Sequence, residues 1–189
     1  MKTPPKERII LGIDPGTTIT GYGVVKAVAN TPQLVAIGVI DLSKFGDHYI
    51  KLKHIYERVT GIIEEYHPDE LAIESPFYGK NVQSMLKLGR AQGAAIAAAL
   101  SRSMPIFEYA PRKIKMSITG MGAASKEQVA AMLMNILKFK ITSAKLDATD
   151  GLAVALCHFY QTSAAVKGKG SGTWKDFIDK NPARVKKKL

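Results

Sequence analysis

The chain has 189 residues, 46% of them hydrophobic and 23% charged, with a formal net charge of +11 and a single cysteine. That length suits one domain with a proper core and falls short of two typical ones. The lone cysteine excludes an intrachain disulfide and fits a reducing compartment, so a cytoplasmic protein is expected. A balance this basic points to a polyanionic partner, nucleic acid or a membrane surface, unless it is only a well-solvated surface.

In chain order, Met1 to Arg8 is short and polar and lacks the long apolar stretch of a secretory leader. No run of roughly eighteen uninterrupted apolar residues occurs, so no membrane span is expected. Ile9 to Asp14 is an apolar run ending in a Pro-Gly turn and reads as a buried strand. Gly21 to Val28 and Leu34 to Leu42 alternate in part, are rich in Val and Ile, and read as two further strands joined at hairpin distance through Asn30, Thr31 and Pro32. The opening is therefore an antiparallel meander of three strands. Asp47 to Tyr66 has helical spacing, with Ile50, Ile55, Val59, Ile62 and Ile63 assigned to the inner face and Pro68 as the stop.

Glu70 to Glu74 reads as a short strand, Ser75 to Gly79 as a loop, and Val82 to Ser101 as a long helix crowded with alanine and glycine. Such small side chains let backbones approach closely, so this helix packs tightly on a sheet or on a partner subunit. Ile106 to Tyr109 is a last strand. Pro111 to Ile118, Ser125 to Leu137 and Asp147 to Tyr160 are helices, the second opening on a capping box of Ser125 and Gln128. An antiparallel start followed by alternating strands and helices defines an α/β domain, a mixed five-stranded sheet with helices on both faces. This domain is assigned to residues 1–162. Residues 163–189 form a basic tail: from Lys167 onward eight Lys or Arg stand against two acids. The tail reads as an electrostatic arm for DNA or as a solubilising extension without a specific role.

The chemistry rests on where the acids fall. Asp14 ends the first strand and Glu74 the fourth, and ligand sites in α/β sheets gather at the carboxyl ends of strands. Asp147 and Asp150 are three residues apart at the start of the last helix, hence on one face of it, ahead of an apolar run that would bury that helix on the sheet. Four converging carboxylates raise one another's pKa, and a fold tolerates them only with a compensating cation. An oxygen-only set suits Mg²⁺ or Mn²⁺ and not zinc, and a pair of such ions is the usual means of hydrolysing a phosphodiester. Taken singly, each acid has a structural explanation as a helix cap, a first-turn acid, a strand-end surface residue or turn chemistry. The inference lives in their joint arrangement.

Several ordered blocks resemble the RuvC resolvases: Ile10 to Val24, Leu71 to Phe77, Asn81 to Gln92, Tyr109 to Lys115, Thr119 to Lys126, and Asp147 to His158. The likeness runs over about residues 8–162. It implies a ribonuclease H-like fold and a homodimer that cuts four-way DNA (Holliday) junctions by symmetric paired nicks. It implies two Mg²⁺ per active site, with Mn²⁺ able to substitute, and ends carrying 5′-phosphate and 3′-hydroxyl. The family's metal-binding acids map onto Asp14, Glu74, Asp147 and Asp150, its base-stacking aromatic onto Phe77, and two substrate-contacting basic residues onto Lys115 and Lys126. A branch-migration motor and its junction-binding protein are the implied pathway partners. Cys157 and His158 read as structural residues of the last helix, and His48, His54 and His67 as surface. Three rivals remain at this point: an ATPase of the actin and sugar-kinase type, for which the chain is too short; an RNase H-like nuclease acting on RNA precursors; and a non-catalytic DNA-binding scaffold.

Overall fold

A computed structural model describes residues 7–76, 81–140 and 146–167. Phe77 and most of the basic tail lie outside the described residues. The strands are β1 (Glu7–Asp14), β2 (Ile19–Val28), β3 (Thr31–Asp41), β4 (Glu70–Glu74) and β5 (Ile106–Tyr109). The helices are α1 (His48–Tyr66), α2 (Val82–Leu100), α3 (Pro111–Thr119), α4 (Lys126–Leu137) and α5 (Asp147–Lys167). The strands form one sheet in the order β3-β2-β1-β4-β5. The β1–β2 and β2–β3 pairs are antiparallel, and the β1–β4 and β4–β5 pairs are parallel. The expected mixed sheet with its opening meander is the observed one.

Period-two alternation decides what each strand residue touches. In β1, Leu11 and Ile13 join Leu71 and Ile73 of β4 in a core closed by Ile55, Val59, Ile62 and Ile63 of α1 and by the alanines of α2. On the opposite face, Ile10 and Ala72 meet α3, α4 and the apolar run of α5 from Leu152 to Phe159. Both central strands are thus buried on two sides, as parallel neighbours covered by helices should be. The small residues Ala91, Ala95, Ala98 and Ala99 of α2 are spent on this internal packing, while Val82, Leu86 and Leu100 of the same helix are exposed.

Helix α5 reaches the sheet by close backbone approach. A Cβ on Gly12 would lie 2.2 Å from the Gly151 carbonyl oxygen, and one on Gly151 would lie 2.5 Å from the Tyr22 Cα. Only glycine at these two facing positions lets the start of α5 rest directly on β1 and β2.

The structure departs from the sequence reading at several element ends, where β1 and β2 each begin two residues earlier, and at one helix face. The hairpin turn is Ala29–Asn30, with Val28 paired to Thr31, so β3 begins three residues earlier than Leu34. Pro32 misled because it usually breaks strands, but β3 is an edge strand and tolerates a missing donor. Ile50 is 51% exposed and not on the inner face of α1, because five residues place it about 140° around the axis from Ile55. Finally, α5 continues past Tyr160 and crosses 162–163 unbroken to Lys167.

The last-helix residues read as structural are so. Cys157 and His158 are fully buried. His158 Nδ1 lies 2.6 Å from the Tyr109 hydroxyl and Nε2 lies 2.7 Å from Glu70 Oε2. With a carboxylate on Nε2, the network assigns the proton there and makes Nδ1 the acceptor from Tyr109. His67 is exposed, as expected of a surface residue, and it caps α1 in the left-handed conformation; His48 and His54 are half-buried.

Candidate functional site

The last parallel pair between β1 and β4 is Ile13 with Ile73. One residue further on, Asp14 and Glu74 leave adjacent strand tips side by side. Both follow the parity of Gly12 and Ala72, so they belong to the sheet face that carries α5. Asp147 and Asp150 occupy the first turn of α5, where the helix dipole favours negative charge. The glycine contact between β1 and α5 sets that turn next to the strand tips. Asp14, Glu74 and Asp150 line one cleft of about 360 Å³ together with Lys115, Lys126, Pro111 and Ile114. Asp147 stands at its edge with its side chain 49% exposed.

Electrostatics show how closely the acids are coupled. Burial, then the charges of Asp150 and Asp147, push Asp14 up to about 7, against the opposing pull of Lys126. Glu74 is pushed up to about 8 by burial, then by Asp14 and Asp150, with Lys115 opposing. Burial raises Asp150 as well, although Lys126 beside it works in the other direction. A cluster with these values resists carrying its full negative charge unaided. Its donors are all carboxylate oxygens, the set that suits a hard divalent cation. Among the described residues no three of these acids are drawn in tightly enough to cage an ion; instead the oxygens of Asp147 and Asp150 are held by an ammonium. Lys126 Nζ lies 2.5 Å from Asp147 Oδ1 and 2.7 Å from Asp150 Oδ2. Burial works against the Lys126 charge, and its two hydrogen-bonded carboxylates outweigh that and raise its pKa. The lysine therefore already does, with one charge, what a divalent cation would do with two.

All four acids and both lysines singled out in the sequence fall in this one region, whereas Phe77 lies outside the described residues. The residue that sequence reasoning passed over is Gln92. It is 8% exposed and lines a second cavity on the other side of Asp14 and Glu74, with Pro15, Ser75, Pro76 and Leu88. Its Nε2 donates to the Glu74 carbonyl oxygen at 3.4 Å and to Glu108 Oε2 at 3.2 Å, tying α2 to the tip of β4. The available signal was a lone amide among inward-facing alanines, the one polar side chain that the inner face of α2 buries.

Comparison with known proteins shows the family. The family model described as crossover junction endodeoxyribonuclease RuvC matches residues 10–158. A protein of that name from Bacteroides fragilis is 65% identical over 188 residues, covering 98% of this chain and 100% of its own. Its namesake from Porphyromonas gingivalis is 59% identical over 187 residues, covering 96% and 99%. Among solved structures, T. thermophilus RuvC in complex with a Holliday junction substrate superposes with a TM-score of 0.76 at 32% identity, covering 84% of this chain and 96% of that one. The ribonuclease H-like α/β fold and the use of a divalent metal go with that kinship. With its glycine-seated helix and its acids at the strand tips, this chain belongs to the RuvC family of crossover junction endodeoxyribonucleases.

Proposed function

We propose that this chain resolves four-way DNA junctions as a homodimer, each subunit nicking one of two symmetric strands, in DNA recombination and repair in the cytoplasm. The observation that carries the reading is the gathering of Asp14, Glu74 and Asp150 around one cleft, with Asp147 at its edge and two lysines on its walls. Relatives that share nearly the whole chain are crossover junction endodeoxyribonucleases by name, and one solved relative holds a Holliday junction.

In this reading the four acids hold two Mg²⁺ ions, with Mn²⁺ as a substitute. Asp14, which feels Asp150 and Asp147 and itself presses on Glu74, would hold the ions together with those three acids. Such ions, when bound, would supply activation of water and neutralisation of phosphate charge for a hydrolysis that leaves a 5′-phosphate and a 3′-hydroxyl. Gln92, bonded to the Glu74 main chain, keeps the β4 tip in place. Lys115 on the cleft wall receives the phosphate backbone, and Phe77 stacks on an unpaired base near the junction centre. The exposed Val82, Leu86 and Leu100 of α2 supply apolar area for the contact with a second copy. Residues 1–162 act as the nuclease domain and 163–189 as an appended basic segment; a branch-migration motor and its junction-binding protein are the partners.

The test is nicking of a synthetic four-way junction with and without Mg²⁺, by the wild type and by Asp14→Asn. Paired, Mg²⁺-dependent nicks that disappear in the variant while junction binding survives are the expected result. Binding without cutting by the wild type would favour a scaffold instead, and loss of binding together with cutting in Asp14→Asn would count against the metal-site reading.

A further inference from the structure

We propose that Lys126 is a tethered counter-cation of this site that exchanges with the divalent ion: ion entry takes the Asp147 and Asp150 oxygens, and the freed ammonium turns toward the cleft and the DNA phosphate. The inference rests on the reading of those two acids as metal ligands.

Three observations carry it. First, the ammonium engages both acids at once, at 2.5 and 2.7 Å, and its side chain is 35% exposed, so it sits in the mouth of the cleft and not beneath it. Second, Lys126 is the first residue of α4, directly after the N-cap Ser125. Positive charge is disfavoured at a helix N-terminus, so α4 itself gives no reason for a lysine there; the reason lies across the gap in the acids of α5. Third, the backbone at that point is pinned by a capping box in which Ser125 and Gln128 exchange hydrogen bonds. The flexible side chain can therefore change partners without moving the helix. An ammonium and a dication sharing one pair of carboxylates at contact distance repel strongly. One must leave, and the ion with two charges gains more from the carboxylates gathered around the cleft. Lys115 lines the same cleft, so the released ammonium joins a second cation on the path of an incoming phosphate.

The exchange predicts a change at one named amine. The full-length protein, without DNA, is briefly acylated with an N-hydroxysuccinimide ester in chelator and in saturating Mn²⁺, and the lysine-containing peptides are quantified by mass spectrometry. Mn²⁺ uptake is followed in parallel by the loss of the free-ion electron paramagnetic resonance signal. Lys126 should gain reactivity on Mn²⁺ binding by about fivefold, the order expected for release from two part-exposed ion pairs. Lys53, on the outer face of α1 at 73% side-chain exposure, should not change. In Asp147→Asn/Asp150→Asn the amine should be reactive already in chelator and indifferent to Mn²⁺. Uptake of Mn²⁺ with Lys126 unchanged, or better protected, overturns the exchange and leaves the metal site standing. No uptake at millimolar Mn²⁺ overturns the metal-ligand reading, and the exchange with it.

Discussion

Asp14→Asn should stabilise the protein in chelator at pH 8 while abolishing junction cutting. In the fold Asp14 is raised from 3.8 to about 7, first by burial and then by Asp150. The folded state therefore binds the Asp14 proton more tightly than the unfolded chain does. Stability from this group is full below about pH 4, falls as the pH rises to about 7, and is level above that. Fully ionised, the carboxylate costs the fold roughly 4 kcal/mol relative to its protonated form. An amide of the same shape escapes that cost but loses about 1–3 kcal/mol as a poorly partnered buried polar group. The net gain is about 1–3 kcal/mol, which for a chain of this size raises the Tm by about 2–10 °C. Thermal unfolding of both proteins in chelator at pH 8 and at pH 5 measures it. At pH 5 wild-type Asp14 is already protonated, so the gap should close or reverse. Saturating Mg²⁺ at pH 8 should cancel or invert the ranking, since a ligand at about a hundredfold its Kd adds roughly 2.7 kcal/mol to the protein that binds it. A variant no more stable than wild type at pH 8, or equally more stable at both pH values, would refute the account of a cation-starved cluster.

Gly12→Ala should cost about 1–3 kcal/mol in urea unfolding and reduce Mg²⁺-dependent cutting, because the added Cβ meets the Gly151 carbonyl and lifts the acid-bearing turn of α5 from β1; wild-type cutting in this variant would separate helix seating from the site. His158→Ala should cost about 2–4 kcal/mol at pH 8, taking the acceptor from the Tyr109 hydroxyl, leaving Glu70 with Arg8 but without the imidazole, and opening a cavity. Burial holds the His158 pKa below its usual 6.5, with Glu70 opposing, so the unfolded chain binds the proton more readily and this residue's contribution weakens as the pH falls through 6.5; a denaturation series from pH 5 to 8 should show the wild-type advantage narrowing on the acid side. Phe77→Ala should weaken junction cutting with an unchanged Tm, whereas equal cutting of junctions by variant and wild type would remove the stacking role.

Local rules were enough for most of the architecture. Asp14 and Glu74 could be placed at strand ends because apolar runs stop there, and α4 could be placed because Ser125 and Gln128 cap it. Where the reading erred, the causes differ: Pro32 is tolerated because β3 is an edge strand among the described residues, and Ile50 points outward because five residues turn it about 140° away from Ile55.

What the chain order determined by itself was the identity of the acids, the chemistry they suit and the elements that carry them, since spacing and side-chain type are local properties. Tertiary structure decided the rest. Parallel pairing of β1 with β4 set Asp14 beside Glu74, although 60 residues separate them in the sequence. The glycine contact with α5 brought Asp147 and Asp150 to the same lip, and the helix start at Ser125 aimed Lys126 into their midst. Coulomb energies depend on distances through space, which no residue spacing along the chain contains.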